Sequence, residues 1–201
     1  RRRLAQFYGQ FMQSGDLAFD VGAHVGNRIQ AWRDLGAAVI GIEPQPSCMA
    51  LLQRWYGEDE NVTLIDSAVG AEMGDATLHI SVKTPTVTTL SRQWLQEVQQ
   101  VDSFASVTWD EHRIVDVTTL DQLIDLHGHP TFCKIDVEGY ELEVLQGLSQ
   151  PIAALSIEYI PATKASSLAC IARLSELADY TFNWSVGESH QLQSSRWLEQ
   201  Q

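Results

Sequence analysis

Basic residues, cysteines and long apolar runs are what this chain has least of, and each shortage closes off a class of function. Thirteen Lys and Arg stand against 26 Asp and Glu, a formal charge of −13. A field of that sign repels phosphate backbones, so no nucleic-acid partner is expected. Cys48, Cys133 and Cys170 are odd in number and show no metal-ligand spacing, so no metal site is expected. Cys133 sits inside an apparent core strand, where a free thiol behaves as a small hydrophobe, and a reducing cytoplasmic setting is the default. No apolar run approaches the roughly 20 residues that a membrane helix needs. A secretory signal pattern is missing too, and Arg1-Arg2-Arg3 reads as a solvated charged end. Repeats, low-complexity tracts and linkers are absent, so residues 1–201 read as one domain.

What is there alternates between strand and helix. Leu4 to Met12 has Leu4, Phe7, Tyr8 and Phe11 at helical spacing, which predicts an entry helix within residues 1–16. Leu17 to Val21 predicts a strand, and Asn27 to Leu35 a helix closed by Gly36. Val39 to Ile42 is the second strand; Ser47 is the expected cap of the helix that Gly57 ends. Val62 to Ile65 is the third. Thr77 to Val82 and Arg113 to Val117 alternate with period two, which predicts an antiparallel pair beside a parallel sheet. The intervening segment 83–112 reads as a lid or substrate-binding insertion. Leu120 to His127 is helical, Thr131 to Ile135 a strand, Tyr140 to Leu148 a helix and Leu155 to Ile160 a fifth parallel strand. A last helix carries Leu168, Ile171, Leu174 and Leu177, and Thr181 to Val186 and Gln191 to Leu198 read as edge strands. Such βα alternation implies an α/β fold, a mostly parallel central sheet with helices on both faces.

Three of these strands end in polar groups. Asp20-Val21-Gly22-Ala23-His24-Val25-Gly26-Asn27 turns from strand to helix through two glycines, which allow the backbone to approach a ligand closely. Glu43-Pro44 ends the next strand, about 20 positions beyond Gly22, where a nucleotide-binding unit places a carboxylate on ribose hydroxyls. His24 puts bulk where a pyrophosphate would need open backbone, so the loop suits a nucleoside without phosphates. Asp66-Ser67-Ala68 ends the third strand, where an adenine ring would lie. In Lys134-Ile135-Asp136-Val137-Glu138-Gly139-Tyr140-Glu141 a buried strand runs into two carboxylates and a turn, with Lys134 placed to neutralise one of them. Buried acids are costly unless partnered or used, which favours a functional role. Glu158 adds an acid at the same rim.

The runs Phe19 to Asn27, Ile42-Glu43-Pro44, Val117 to Asp121 and above all Lys134 to Glu141 resemble the FkbM-type methyltransferases. That resemblance implies a Rossmann-like class I fold and S-adenosyl-L-methionine as cofactor. It also implies methyl transfer to a hydroxyl of a small molecule, sugar or lipid-like acceptor. It would put Asp20, Gly22 and Gly26, with Ala23, His24 and Asn27 in the same loop, at the amino-acid end of the cofactor. Glu43, with Pro44, would hold the ribose, Ser67 and Ala68, with Asp66, would flank the adenine, and Asp136 would stand near the reacting methyl. His24 departs from the family, which commonly has Asn there. For the proton of an alcohol the candidate acceptors are Asp136, Glu138 and His24, in that order. Two other readings stay open on the residues alone: a nicotinamide-dependent oxidoreductase and a nucleoside-binding module without turnover.

Overall fold

The computed structural model describes residues 2–200. The chain enters through α1 (Arg2–Tyr8) and passes into β1 (Leu17–Val21) and α2 (Asn27–Asp34). β2 (Ala38–Ile42), α3 (Pro46–Tyr56) and β3 (Val62–Ile65) repeat the unit. An excursion follows through β4 (Ala68–Val69), β5 (Gly74–Ile80), α4 (Arg92–Val98) and β6 (Glu111–Thr118). The chain returns by α5 (Leu120–His127) to β7 (Phe132–Ile135), α6 (Glu141–Gln146) and β8 (Ala154–Ile157). α7 (Lys164–Leu177) and the short strands β9 (Thr181–Phe182) and β10 (Leu198–Glu199) come last.

The main sheet has the order β3-β2-β1-β7-β8, with every pairing parallel. From central β1 the chain builds outward to one side and later resumes on the other. A crevice therefore opens between the carboxyl ends of β1 and β7, the place where such sheets take ligands. Successive residues of these strands feed opposite layers. Phe19, Val21, Cys133 and Ile135 pack with Leu123, Val144, Leu145 and Leu148, while Ala18 and Phe132 pack with Tyr8, Ile29, Trp32 and Leu52. Burial on both faces is why β1 and β7 are nearly continuous apolar runs. The expected antiparallel pair is β5 with β6, and β4 runs parallel to β6 to complete a second sheet of three strands.

Several local expectations shift; the fifth parallel strand, for one, ends at Ile157 instead of Ile160. The entry helix stops at Tyr8, just before Gly9, instead of reaching Met12. α3 starts at Pro46, with Gln45 rather than Ser47 at its N-cap, because proline's fixed φ suits the first helical position. The segment 83–112 is not a bare loop: it holds α4, capped by the Ser91 hydroxyl on the Trp94 N–H, and short 3₁₀ turns over 85–87 and 102–104. The two edge strands shrink to the residue pairs of β9 and β10. The Asn183 side chain bonds the Ser194 carbonyl and accepts from the Trp184 and Ser194 amides, taking the place of ladder bonds.

Trp32 ties α2 to its neighbours. It is fully buried, and its ring meets those of Tyr8 at 5.3 Å and Phe132 at 5.7 Å, both edge to face. Its indole N–H has no partner. Trp32→Ala should cost about 3–5 kcal/mol of unfolding free energy. Trp32→Phe should cost clearly less, since the N–H it deletes is unsatisfied. Urea unfolding of both variants checks this; equal losses would mean that the indole N–H is used.

Candidate active site

The glycine loop is bent by the sheet beneath it. Gly22 lies at φ 77°, and a β-carbon there would stand 1.9 Å from the Asp136 carbonyl oxygen, so no side chain fits between β1 and β7. The Gly22 and Ala23 amides both donate to the Ile42 carbonyl, at 3.0 and 3.1 Å. His24 takes a left-handed conformation, φ 49°, and its amide donates to Glu43 Oε2 at 2.7 Å. The other oxygen of Glu43 accepts from the Gln45 amide at 2.8 Å. Glu43 thus binds the loop after β1 to the loop after β2. Gly26 caps α2 from φ 77°, where a β-carbon would strike Tyr56 at 2.6 Å and Leu52 at 2.9 Å. Its constraint is packing under α3.

Lys134 stands at the floor of the crevice. The β1–β7 register sets it directly opposite Asp20. Its Nζ donates to the Gly22 carbonyl at 2.9 Å and lies 3.3 Å from Asp20 Oδ1 and 3.2 Å from Asp136 Oδ2. One carbonyl and two carboxylates thus surround the ammonium and offset its charge. Asp20, 1% exposed, is held by charge alone, because neither of its oxygens has an aligned hydrogen bond.

The turn after β7 carries the remaining acids. Glu138 and Gly139 are both left-handed, at φ 54° and 85°. Buried Glu141 ties the turn down: its Oε1 accepts from the Val137 and Gly139 amides, both at 3.1 Å. A β-carbon at Gly139 would fall 2.2 Å from the Trp94 ring, so α4 packs directly on this turn. Thr89 Oγ1 donates to the Glu138 carbonyl at 2.6 Å, and Trp109 Nε1 to the Val87 carbonyl at 2.7 Å. Carboxylate oxygens of Asp136, Glu138 and Glu158 lie within 4.8 Å of one another.

These elements enclose a cavity of about 380 Å³. Of the residues singled out in the sequence, Asp20, Gly22, Ala23, His24, Asn27, Glu43, Pro44, Ser67, Ala68, Asp136 and Glu138 line it, as do Lys134 and Glu158. Gly26 and Asp66 do not. From the segment 83–112, Pro85, Thr86, Thr88, Thr89 and Leu90 reach the wall. Sequence reasoning missed Arg28, Gln45, Leu78 and Glu188. Arg28 had left a signal, because a cation in the first turn of a helix opposes the helix dipole. Glu188 left none, for its place depends on how the chain end folds back.

Crowding of acids governs the charge states. Burial pushes the Glu43 carboxyl up to about 7, against the pull of its two amide bonds. Burial and then the charges of Glu158 and Asp136 push Glu138 up to about 9. Glu158 is pushed up to about 8 by desolvation and by Asp136, though at the open rim solvent screens part of this. Burial is the strongest single influence against ionisation of Asp136, but the charge and hydrogen bond of Lys134, a hydrogen bond from Glu158 and the Arg28 charge together outweigh it and hold that carboxyl below its usual range. Burial, then Lys134, lowers His24, which favours the neutral imidazole. For Glu43, Glu138 and Glu158 the folded value exceeds the ordinary 4.5. At these three groups the folded state holds more protons than the unfolded one between 4.5 and about 9, so their contribution to stability falls as pH rises. The lowered His24 and His79 act the other way near 6.5. The melting temperature of the ligand-free protein should decline from pH 5 to pH 9, and Glu138→Gln should flatten the decline above pH 7. A Tm that holds constant or rises over that range would contradict the charge assignment.

Comparison with known proteins bears on the same crevice. The family model described as the methyltransferase FkbM domain matches residues 20–190. No curated protein matches the chain in sequence. Among solved structures, a precorrin-6y C5,15-methyltransferase from Geobacter metallireducens GS-15 superposes with a TM-score of 0.50 at 11% identity, over 94% of this chain and 80% of that one. A protein assigned as a sarcosine dimethylglycine methyltransferase from Galdieria sulphuraria aligns with a TM-score of 0.46 at 11% identity, over 90% of this chain and 61% of that one. The fold is thus that of Rossmann-like methyltransferases, and the family match decides among the three activities that the residues alone left open. The chain belongs to the FkbM methyltransferase family and is an S-adenosylmethionine-dependent methyltransferase.

Proposed function

We propose that the chain methylates a hydroxyl oxygen of a small-molecule acceptor, such as a sugar or a lipid-like alcohol. The observation that carries this reading is that the cavity wall holds both a neutral imidazole and an ionised carboxylate, those of His24 and Asp136. An alcohol must lose its proton as it is methylated, and such groups accept one at neutral pH. Glu138, pushed up to about 9, keeps its proton and serves as a donor to the acceptor's other oxygens. Protonation state therefore favours Asp136 and His24 over Glu138 as the base.

The lining also fits the cofactor. Six acids (Asp20, Glu43, Asp136, Glu138, Glu158 and Glu188) face two cations, Arg28 and Lys134, a balance that suits a ligand carrying a sulfonium and an ammonium. Buried acceptors with unused capacity stand at both ends, at the Asp20 oxygens and at Ser67 Oγ. When bound, S-adenosylmethionine supplies a methyl group already activated by its sulfonium. Asp20, Gly22, Ala23 and Asn27 hold its amino-acid end, Glu43 and Pro44 its ribose, and Ser67 and Ala68 its adenine. The protein's task is then to align the acceptor oxygen and exclude water.

On this reading the chain is one methyltransferase domain over 1–201, with an N-terminal segment 1–16 and a lid over 83–112. What supports the lid is the reach of Pro85 to Leu90 into the cavity wall, anchored by buried Trp94. The charge of −13 argues against nucleic acid as acceptor, and no helix among the described residues is long and apolar enough to cross a membrane. Three buried free thiols agree with a reducing cytoplasmic setting.

The reading is tested by incubating the protein with methyl-labelled cofactor and separate panels of alcohols, amines and carboxylic acids. Label should enter alcohols as alkali-stable ethers; label confined to amines, or to alkali-labile esters, would overturn it. With an alcohol that works, Asp136→Asn and His24→Ala should each lower kcat at saturating cofactor by about 10²-fold or more, the scale of general-base catalysis. Affinity for S-adenosylhomocysteine should change far less, and a loss confined to affinity would make these residues cofactor ligands only. Thr86→Trp, at an exposed position of the lid, should raise KM for the alcohol while leaving S-adenosylhomocysteine affinity within about twofold. An unchanged KM would mean that the acceptor enters elsewhere.

A further inference from the structure

A zwitterionic amino-acid end needs a cation for its carboxylate as well as an anion for its ammonium. Two cations line the cavity among the described residues, and the charge of Lys134 is already met by Asp20 and Asp136 on either side of it. Arg28 has a donor to spare. Its Nη2 donates to Glu188 Oε1 at 2.8 Å, and the Tyr8 hydroxyl interacts with the guanidinium, but Nε is buried without a hydrogen-bond partner. A guanidinium offers five donors in a planar fork that matches a carboxylate. Arg28 also occupies the first turn of α2, directly after the glycine loop, where a cation opposes the helix dipole and nothing in local structure calls for one.

The group that holds Arg28 is itself a carboxylate, brought from 160 positions along the chain. The two partners are unequal, the Arg28 side chain being 19% exposed and that of Glu188 72%. Glu188 is not there by chance of a loose end. It projects from a turn with left-handed Gly187 and His190, at φ 47° and 50°. The His190 ring clasps it, with Nδ1 2.7 Å from the Glu188 carbonyl and Nε2 3.3 Å from Oε2, and packs on the rings of Phe7 and Tyr8 at 5.7 and 6.5 Å. The chain end and α1 together set one exposed carboxylate on one half-satisfied guanidinium at the cavity mouth.

We propose that Arg28 binds the α-carboxylate of the cofactor, and that Glu188 holds that place on the guanidinium until the cofactor displaces it. The inference rests on the S-adenosylmethionine reading of the cavity. Asp20, whose oxygens have no aligned hydrogen bond, then faces the ammonium, and Arg28 the carboxylate, of one α-amino acid.

Calorimetry with two probes on the full chain tests this: S-adenosylhomocysteine, which has the carboxylate, and 5′-methylthioadenosine, which lacks the whole amino-acid end. Arg28→Gln should weaken S-adenosylhomocysteine by about 10- to 100-fold and leave methylthioadenosine unchanged. Glu188→Gln should strengthen S-adenosylhomocysteine several-fold and likewise spare methylthioadenosine. If Arg28→Gln does not fold, Arg28→Lys, which keeps the charge and loses the fork, should show a smaller loss with the same selectivity. Equal losses for both probes, or none for either, would overturn the Arg28 assignment. An unchanged Glu188→Gln would remove the place-holding role. A wild-type protein that binds neither probe would instead sink the cofactor reading of the cavity, and this inference with it.

Discussion

The buried ammonium of Lys134 is the constraint on which the site depends. It joins the two strands flanking the crevice, because the register of β1 against β7 sets it beside Asp20 and one turn of backbone brings Asp136 to its other side. A charge taken out of water is tolerable only with partners, and here two carboxylates and the Gly22 carbonyl supply them. The arrangement couples three parts: the glycine loop through Gly22, the β1 end through Asp20 and the turn after β7 through Asp136. It also divides the acids. Asp136 is kept low by Lys134 together with a hydrogen bond from Glu158, while burial and the neighbouring acids push Glu138 and Glu158 up in spite of Lys134. Lys134 is thus one of the charges that set the acids at the rim apart.

A second layer of contacts fixes the turn itself. Glu141 gathers the Val137 and Gly139 amides from within the first turn of α6, and Trp94 fills the space that a side chain at position 139 would need. The segment 83–112 is thus built into the turn from below by Trp94 and from above by the Thr89 hydroxyl on the Glu138 carbonyl. Movement of that segment would reach the Glu138 backbone directly. Glu43 plays the matching part on the other side, since its two amide bonds hold the loops after β1 and β2 together. Substituting either acid perturbs backbone as well as charge, so shape-conserving Gln variants are the informative ones.

Much of this was legible in the chain. Periodicity and glycine stops located the five parallel strands, because residues buried on both faces leave continuous apolar runs. The acids at the strand ends marked the crevice, because topology alone places those ends side by side. Less visible were features set by long-range closure. Gly26 looks like a ligand-binding glycine in sequence but answers to Tyr56 and Leu52 across α3. Asp66 stands one residue before a cavity-lining serine yet stays out of the wall. The role of Glu141 needed the turn's amides, which no spacing reveals.

By itself, then, the sequence determined the fold class and the identity of most cavity residues through its apolar, glycine and acidic positions, and the family and cofactor through its resemblance to the FkbM-type methyltransferases. Only the tertiary structure decided their chemistry. Which acid is ionised depends on burial and on the distances among Lys134 and the acids themselves, which glycine is open depends on a helix packed above it, and the pairing of Arg28 with Glu188 spans 160 positions. Electrostatics and close packing act through space, and the order of residues along the chain does not carry those distances.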